Sequence, residues 1–173
     1  NLPKTKKIAI ITDRNLPSKI LSNLKLSLKK YDISIYKLNA GEKTKNIKIA
    51  YYLIEKILRK KFSRSDCIIS LGGGVIGDLA GLVSSLVKRG VKFVNIPTTL
   101  LAQADSSIGG KTGVNSSYGK NLIGTFYQPD LVITDTTTLN SLPKKEIICG
   151  YAEIFKHSII LDKNFFVWLQ KNG

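Results

Sequence analysis

The 173-residue sequence predicts an α/β fold, in which helices flank a mainly parallel β-sheet. Short apolar segments of strand length alternate with segments in which apolar residues recur at helical spacing, a pattern typical of βαβ units. Glycine-rich or polar segments follow several predicted strands, at the positions where parallel sheets bind ligands. Hydrophobic residues make up 43% of the chain, which is enough for a sizeable core.

Strands and helices alternate through most of the chain. The predicted strands cover residues 7–12, 33–38, 67–71, 92–96 and 131–134. The predicted helices between them cover residues 18–30, 45–61 and 75–88. The last of these helices is rich in small and apolar residues, which predicts that it is buried.

The pattern changes after Pro143. Residues 144–161 and 164–171 both carry apolar side chains at helical spacing, and no strand lies between them. We therefore predict one α/β domain over residues 1–143 and the beginning of an all-α domain over residues 144–173.

The formal net charge of +15 suggests a nucleic-acid partner, but the lysines are spread along the chain and form no basic tail. The longest cluster, residues 59–61, falls at a predicted helix C-terminus, where cations are favourable. We interpret most of the charge as solvated surface that helps to recruit anionic substrates, and we expect no nucleic-acid partner. A non-catalytic module that binds a nucleotide or nucleic acid stays open as an alternative.

The two cysteines, Cys67 and Cys149, show neither metal-ligand spacing nor a disulfide framework. A reduced, cytoplasmic setting is therefore expected. No signal peptide and no apolar run of membrane-spanning length is found, so no membrane association is expected. The sequence begins without methionine and stops without an evident closing element, and truncation at both ends is expected.

A glycine-rich turn, LGGGVIGD at residues 71–78, joins a predicted strand to a predicted helix. Gly72, Gly74 and Gly77 have the G-x-G-x-x-G spacing, which lets a phosphate approach the N–H groups of a helix N-terminus. The acidic residue of the dinucleotide fingerprint, expected about 20 positions later, is absent. The turn is therefore either a nucleotide-binding loop or a tight strand-to-helix connection that requires glycine.

A polar segment, PTTLLAQADSSIGGKTGVNSSYGKN at residues 97–121, is predicted to be a long surface loop. Loops of this length usually have a function. Lys111 and Lys120 could hold phosphates as point charges, and Asp105 could bind hydroxyl groups or orient a base. A solvated loop is the alternative, but the combination with the glycine-rich turn favours a ligand site.

Three segments resemble the 3-dehydroquinate synthase family: GGGVIGDLAG with a following RG, PTTLLAQADSSIGGKTGVN with GKNLIGTFYQP, and LPKKEIICGYAEIFKH. Their order and spacing also fit, and the resemblance is strongest over residues 71–157. Family members are much longer, so this chain resembles their N-terminal portion. The resemblance implies a dehydroquinate synthase-like fold, with a Rossmann-like NAD-binding domain followed by an all-α C-terminal domain.

The resemblance also implies a reaction, in which 3-deoxy-arabino-heptulosonate 7-phosphate is converted to 3-dehydroquinate and phosphate in the shikimate pathway. The family requires NAD and a divalent metal, zinc or cobalt. NAD transiently oxidises a hydroxyl, phosphate is eliminated, hydride returns, and an aldol step closes the ring, so the enzyme is a lyase. Related sugar-phosphate cyclases are an alternative, although residues 109–115 favour dehydroquinate synthase. Metal-dependent polyol dehydrogenases fit less well.

The resemblance further implies which residues contact NAD. Glu42 and Lys45 would hold the adenine ribose and a nearby phosphate, while Gly74 and its neighbours would line the pyrophosphate. The full implied set is Asp13, Asn15, Glu42, Lys45, Gly74, Val75, Ile76, Gly77, Asp78, Thr98, Thr99, Leu101, Lys111, Lys120, Thr138, Leu139, Asn140 and Ser141.

Five residues have implied catalytic roles. Asp105 would lie beside the reacting hydroxyls, and Lys111 and Asn121 would hold the substrate phosphate. Lys156 would contact substrate hydroxyls near the metal. Arg89 would reach across a homodimer interface into the partner's phosphate pocket, whereas the residues alone suggest a surface arginine before a turn.

Glu153 is the implied metal ligand, although an isolated helix glutamate is expected to be exposed. Glu153 and His157 lie one helical turn apart, a spacing that can bind a metal. The family's two histidine ligands lie further along its chains, so His157 is expected to have a structural or orienting role. Without those ligands, the 173-residue chain is expected to be inactive.

Overall fold

The computed structural model describes residues 4–173 and contains a five-stranded sheet and a separate hairpin. The strands are β1 (Lys7–Asp13), β2 (Asp32–Leu38), β3 (Cys67–Gly72), β4 (Lys92–Pro97), β5 (Lys111–Ser116), β6 (Gly119–Phe126) and β7 (Leu131–Val132). The larger sheet has the order β2-β1-β3-β4-β7, and its neighbouring strands are all parallel. The predicted α/β fold with a mainly parallel sheet is confirmed.

Helices cover both faces of this sheet. They are α1 (Ser18–Ser27), α2 (Ile47–Arg59) and α3 (Gly74–Leu86). Two further helices, α4 (Lys144–Leu161) and α5 (Lys163–Asn172), follow the sheet and pack on each other. On one face, α2 and α3 pack on the sheet around Leu53, Leu79 and Phe93. On the other face, α1 packs through Leu21 on strands β1, β3 and β4. Because helices lie on both faces, β1 and β3 are buried along nearly their whole length and appear in the sequence as continuous apolar runs.

The segment predicted as a long surface loop is folded, so that prediction was wrong. It contains a π-helical turn (Ala102–Ser106) and the antiparallel hairpin β5–β6, which packs on α3 and buries Val114. The two strands approach closely at Gly124, where an added Cβ would lie 2.1 Å from the Thr112 carbonyl oxygen. Strands this polar, interrupted by glycines, carry no clear alternation of apolar and polar residues. The predicted strand at 131–134 is also shorter, because only Leu131–Val132 pairs with β4.

Neither cysteine of the described residues forms a disulfide. Cys67 is buried in β3, and burial raises the pKa of its thiol to about 12, so this thiol stays protonated. Cys149 is exposed on α4. Within residues 4–173, none of the helices combines the length and the apolar character needed to cross a membrane.

Candidate functional site

A cleft of about 700 Å³ opens at the carboxyl edge of the parallel sheet. In the sheet, β2 lies on one side of β1 and β3 lies on the other. The chain therefore runs outward from β1 to β2 and then crosses back to form β3. Loops that leave adjacent strands in opposite directions create a crevice at this point, which is the usual ligand site of open α/β sheets. The loops that follow β1 to β4 all contribute to the lining of this cleft, which we call the first cleft.

The glycine-rich turn forms the N-terminus of α3 at the floor of the first cleft. Its N-cap is Gly73, and no side chain caps the first N–H groups of the helix. A Cβ at Gly74 would lie 3.0 Å from Ser106 Oγ, so the π-helical turn packs directly against this position. Uncapped N–H groups and the helix dipole favour an anion, and a glycine lets it approach closely.

Most residues that the family resemblance implies for NAD lie in the first cleft. They are Asp13, Asn15, Glu42, Lys45, Gly74, Val75, Ile76, Asp78, Thr98, Thr99, Leu101, Thr138 and Ser141. The lining does not include Gly77, within α3, or Leu139 and Asn140, within the 3₁₀ turn Thr136–Ser141.

A second cleft of about 530 Å³ adjoins the first. Its lining includes Lys111 and Asn121 from the hairpin, together with Asp78, Asp105 and Ser106. The last three residues also line the first cleft, so the two clefts meet along the start of α3 and the π-helical turn. The structure therefore brings the glycine-rich turn and the polar segment together.

The remaining candidate residues line neither cleft. Lys120 lies on β6, and Lys156 lies on α4, where it pairs with Glu153. Arg89 is exposed in the turn between α3 and β4, and its φ of 63° places it in the left-handed region. Such a conformation is uncommon for a residue other than glycine, so Arg89 and Gly90 are held in a tight turn.

Lys45 connects the walls of the two clefts. Its side chain is 6% exposed, and its Nζ lies 2.5 Å from both Asp78 Oδ2 and Asn121 Oδ1. Burial raises the pKa of Asp78 above the ordinary value of 3.8, and the Lys45 ammonium lowers it without cancelling that effect. The sequence places these three residues far apart and offers no signal for their contact.

Asp105, Glu153 and His157 form a cluster whose potential ligand atoms all lie within 4.8 Å of one another. The Glu153 side chain is 18% exposed and contacts Lys156 and His157 Nε2, so the exposure expected for a helix glutamate was wrong. The pKa of Glu153 is lowered, chiefly by the hydrogen bond from Lys156. Carboxylate oxygens and an imidazole nitrogen suit zinc or cobalt. Asp105 is not among the metal ligands expected from the sequence, because it lies on a different element from Glu153 and His157.

Gln103 is a residue that the sequence analysis missed. Its Nε2 donates to the carbonyl oxygens of Pro97 and Asp135, both at 3.1 Å, and to Thr138 Oγ1 at 3.2 Å. These bonds join the loop after β4 to the 3₁₀ turn Thr136–Ser141. Gln103 therefore fixes one wall of the first cleft, although nothing distinguishes it in sequence from other polar residues of its segment.

Gly150 is where α4 packs on the start of the π-helical turn. A Cβ there would lie 2.5 Å from both Leu100 Cβ and Leu101 N, so we expect Gly150→Ala to force α4 outward and separate Glu153 from Asp105. The expected result is a loss of about 2 kcal/mol of stability in the full-length protein. An alanine in place of glycine normally stabilises a helix by about 1 kcal/mol. A loss of stability in Gly150→Ala would therefore show that the close packing at this position outweighs helix propensity. Urea denaturation measures this loss.

Titration with Co²⁺ tests whether the outward movement of α4, which carries the candidate ligand Glu153, also lowers the affinity of Gly150→Ala for a metal. The matched control is Ala152→Gly, at an exposed position of the same helix, which lowers helix propensity without placing an atom against Leu100 or Leu101. We expect this control to keep its metal affinity. A folded Gly150→Ala protein with the stability and the Co²⁺ affinity of the wild type would contradict the packing argument.

Residues 35–149 match the family model described as the N-terminal part of 3-dehydroquinate synthase. The chain is 57% identical to the 3-dehydroquinate synthase of Pelagibacter ubique over 164 residues, which are 95% of this chain and 45% of that protein. It is 50% identical to the 3-dehydroquinate synthase of Bartonella tribocorum over 169 residues, 96% of this chain and 45% of that protein. The chain thus spans less than half the length of the curated relatives it matches.

Solved structures of sugar-phosphate cyclases have the same fold. A 2-deoxy-scyllo-inosose synthase complexed with carbaglucose-6-phosphate, NAD⁺ and Co²⁺ superimposes with a TM-score of 0.87 at 30% identity, covering 92% of this chain and 45% of that one. The 2-epi-5-epi-valiolone synthase from Streptomyces hygroscopicus, with NAD⁺ and Zn²⁺ bound, gives 0.86 at 29% identity, with 92% and 45% covered. An iron-containing alcohol dehydrogenase at 18% identity and a TM-score of 0.74 shares the fold alone, covering 89% of this chain and 46% of that one.

Proposed function

Since this chain belongs to the 3-dehydroquinate synthase family, we propose that it forms the cofactor-binding part of a lyase of the shikimate pathway. The proposed enzyme converts 3-deoxy-arabino-heptulosonate 7-phosphate to 3-dehydroquinate and phosphate. Two relatives with that name, at 57% and 50% identity, support this choice.

The observation that carries the proposal is the junction of the two clefts along Asp78, Asp105 and Ser106. A cofactor diphosphate at the N-terminus of α3 and a phosphate ester beside Lys111 would then occupy one continuous space. The reaction requires such an arrangement, because the cofactor must reach a hydroxyl of the same molecule whose phosphate departs.

The residues of the first cleft suit NAD. The uncapped N-terminus of α3 provides N–H donors for a diphosphate, and Gly74 leaves room for it. The proposed NAD contacts are the residues of the full set that the family resemblance implies, which begins with Asp13 and ends with Ser141. When bound, NAD supplies the transient oxidation of a substrate hydroxyl, and Asp105 lies at the junction where it can accept the hydroxyl proton.

Glu153 is the proposed metal ligand of this chain, and zinc or cobalt suits its carboxylate oxygen. Two further ligands would come from a part of the enzyme that this chain does not include, as the length of its relatives suggests. The metal would polarise a substrate oxygen. Lys156 would exchange its contact with Glu153 for a substrate hydroxyl, while His157 would orient the Glu153 carboxylate.

We also propose how the enzyme is organised and which partners it has. Residues 1–143 would be the NAD-binding domain, and residues 144–173 would begin the helical domain. The enzyme would be a cytoplasmic homodimer in which Arg89 reaches the partner's phosphate site, and the 173-residue chain alone would be inactive. No role for nucleic acid is part of the proposal.

A related sugar-phosphate cyclase is the second candidate, because inosose and valiolone synthases superimpose closely. Their identity of 29–30% is well below the 57% of the Pelagibacter ubique dehydroquinate synthase, which favours the first candidate. A substrate panel separates the two.

The test is an assay of the full-length enzyme with NAD, Co²⁺ and each candidate sugar phosphate. We expect equal amounts of phosphate and 3-dehydroquinate from the heptulosonate substrate, and neither product when NAD and Co²⁺ are removed. If the enzyme turned over a different sugar phosphate, such as glucose 6-phosphate, and did not turn over the heptulosonate, the first candidate would be rejected and the second favoured. The 173-residue chain should show no turnover under the same conditions.

A further inference from the structure

Asn115 contacts residues of both clefts although it lines neither. It lies near the end of β5, where the register of the hairpin shifts. Its Nδ2 donates to Glu42 Oε1 at 2.7 Å, and its Oδ1 accepts from the backbone N–H of Asn121 at 2.9 Å. Its own backbone N–H donates to the Lys45 carbonyl oxygen, also at 2.9 Å.

We propose that Asn115 is a positioning residue that holds Glu42 and Lys45, on the cofactor side, in a defined relation to Asn121, on the substrate side. The inference rests on the proposed function and adds a residue that couples its two binding sites. Lys45 Nζ closes the ring of contacts by donating to Asn121 Oδ1 at 2.5 Å. Asn121 is therefore connected to the cofactor side in two ways, through the Asn115 side chain and through its direct contact with Lys45.

Asn121 is the part of this ring that most needs support. Its φ of 58° lies in the left-handed region, which asparagine adopts more readily than most residues but still at a cost. The Asn115 carboxamide accepts the Asn121 N–H and so stabilises that conformation. Because Asn121 lines the second cleft, this bond controls where its side chain can meet a phosphate.

The two side-chain bonds of Asn115 require a donor and an acceptor on one short side chain. An aspartate keeps an acceptor for the Asn121 N–H, but it cannot donate and it places a second negative charge beside Glu42. If Glu42 is also changed to glutamine, the amide introduced at position 42 can donate to the new carboxylate and restore the bond with its direction reversed.

The experiment measures KM for NAD and for the heptulosonate phosphate, together with kcat, in the full-length enzyme. We expect Asn115→Asp to raise both KM values about tenfold and to lower kcat by a smaller factor. A tenfold change corresponds to loss of one hydrogen bond to a charged group, here the bond from Asn115 to the Glu42 carboxylate. The double variant Glu42→Gln/Asn115→Asp should recover the kcat/KM of Glu42→Gln. Ser116→Ala is the matched control, because it loses a hydrogen bond to the Tyr118 N–H within the same hairpin but contacts neither cleft.

The outcomes separate the inference from the function on which it rests. An active wild type whose Asn115→Asp variant loses thermal stability but keeps both KM values within about twofold would overturn the inference alone. If Asn115→Asp does not fold, the double variant provides the test. A kcat/KM of Glu42→Gln/Asn115→Asp at least about tenfold below that of Glu42→Gln would also overturn the inference. A wild-type enzyme without turnover would overturn the proposed function and this inference together.

Discussion

Replacing Gly74 with valine is expected to weaken NAD binding by the full-length enzyme about a hundredfold, or about 3 kcal/mol. Even a Cβ at this position lies only 3.0 Å from Ser106 Oγ, and the two γ-methyl groups of valine extend further from the backbone. Gly74 begins α3 and lines the first cleft, so the added atoms lie where the diphosphate would approach the helix N-terminus. Isothermal titration with NAD measures the change.

A graded series identifies the cause of this effect. Gly74→Ala should weaken NAD binding less, because the Ser106 hydroxyl is the end of a short side chain that can rotate away. Adding Ser106→Ala should recover part of the affinity lost in Gly74→Ala, since the nearest atom is then gone. A folded Gly74→Val protein that binds NAD as tightly as the wild type would show that the ligand does not approach this turn.

Replacing Lys45 with methionine is expected to destabilise the full-length enzyme by about 3 kcal/mol. The substitution keeps an apolar stem but removes the ammonium that contacts Asp78 and Asn121, and it leaves the largely buried Asp78 carboxylate without its ion-pair partner. Lys48→Met is the matched control, at an exposed position just inside α2, where a change within about 0.5 kcal/mol is expected. Urea denaturation followed by circular dichroism compares the variants.

The loss of folding stability in Lys45→Met should depend on pH. Burial raises the pKa of Asp78 in the folded protein, and removing Lys45 should raise it further, because Lys45 lowers it. A carboxyl group with a raised folded-state pKa favours the folded state only while it is protonated, so stability falls as the pH rises through that pKa. The destabilisation should therefore be larger near pH 7 than near pH 4. The double variant Lys45→Met/Asp78→Asn should regain at least about half of the lost stability, and failure to do so would argue against a buried charge as the cause.

Local patterns were sufficient to predict the scaffold. The apolar runs that became β1, β3 and β4 are buried strands, and the periodic segments that became α2 and α4 were located to within a few residues. The hairpin β5–β6 was missed, because its strands are polar, contain glycine and depend on contact with α3 for their burial. The spacing of apolar residues identifies a strand or a helix only when one side of that element is consistently apolar.

The sequence by itself determined the alternation of strands and helices outside the hairpin, the glycine-rich turn at the start of α3, and membership of the family, because each depends on residues that are neighbours in the chain. Only the tertiary structure decided that Asp105 meets Glu153, that Lys45 joins Asp78 to Asn121, and that Asn115 links both clefts. These contacts depend on the order of the strands in the sheet, on the packing of the hairpin against α3, and on the packing of α4 against the π-helical turn. Residues so far apart in the chain are brought together by burial of apolar surface, which local spacing does not encode.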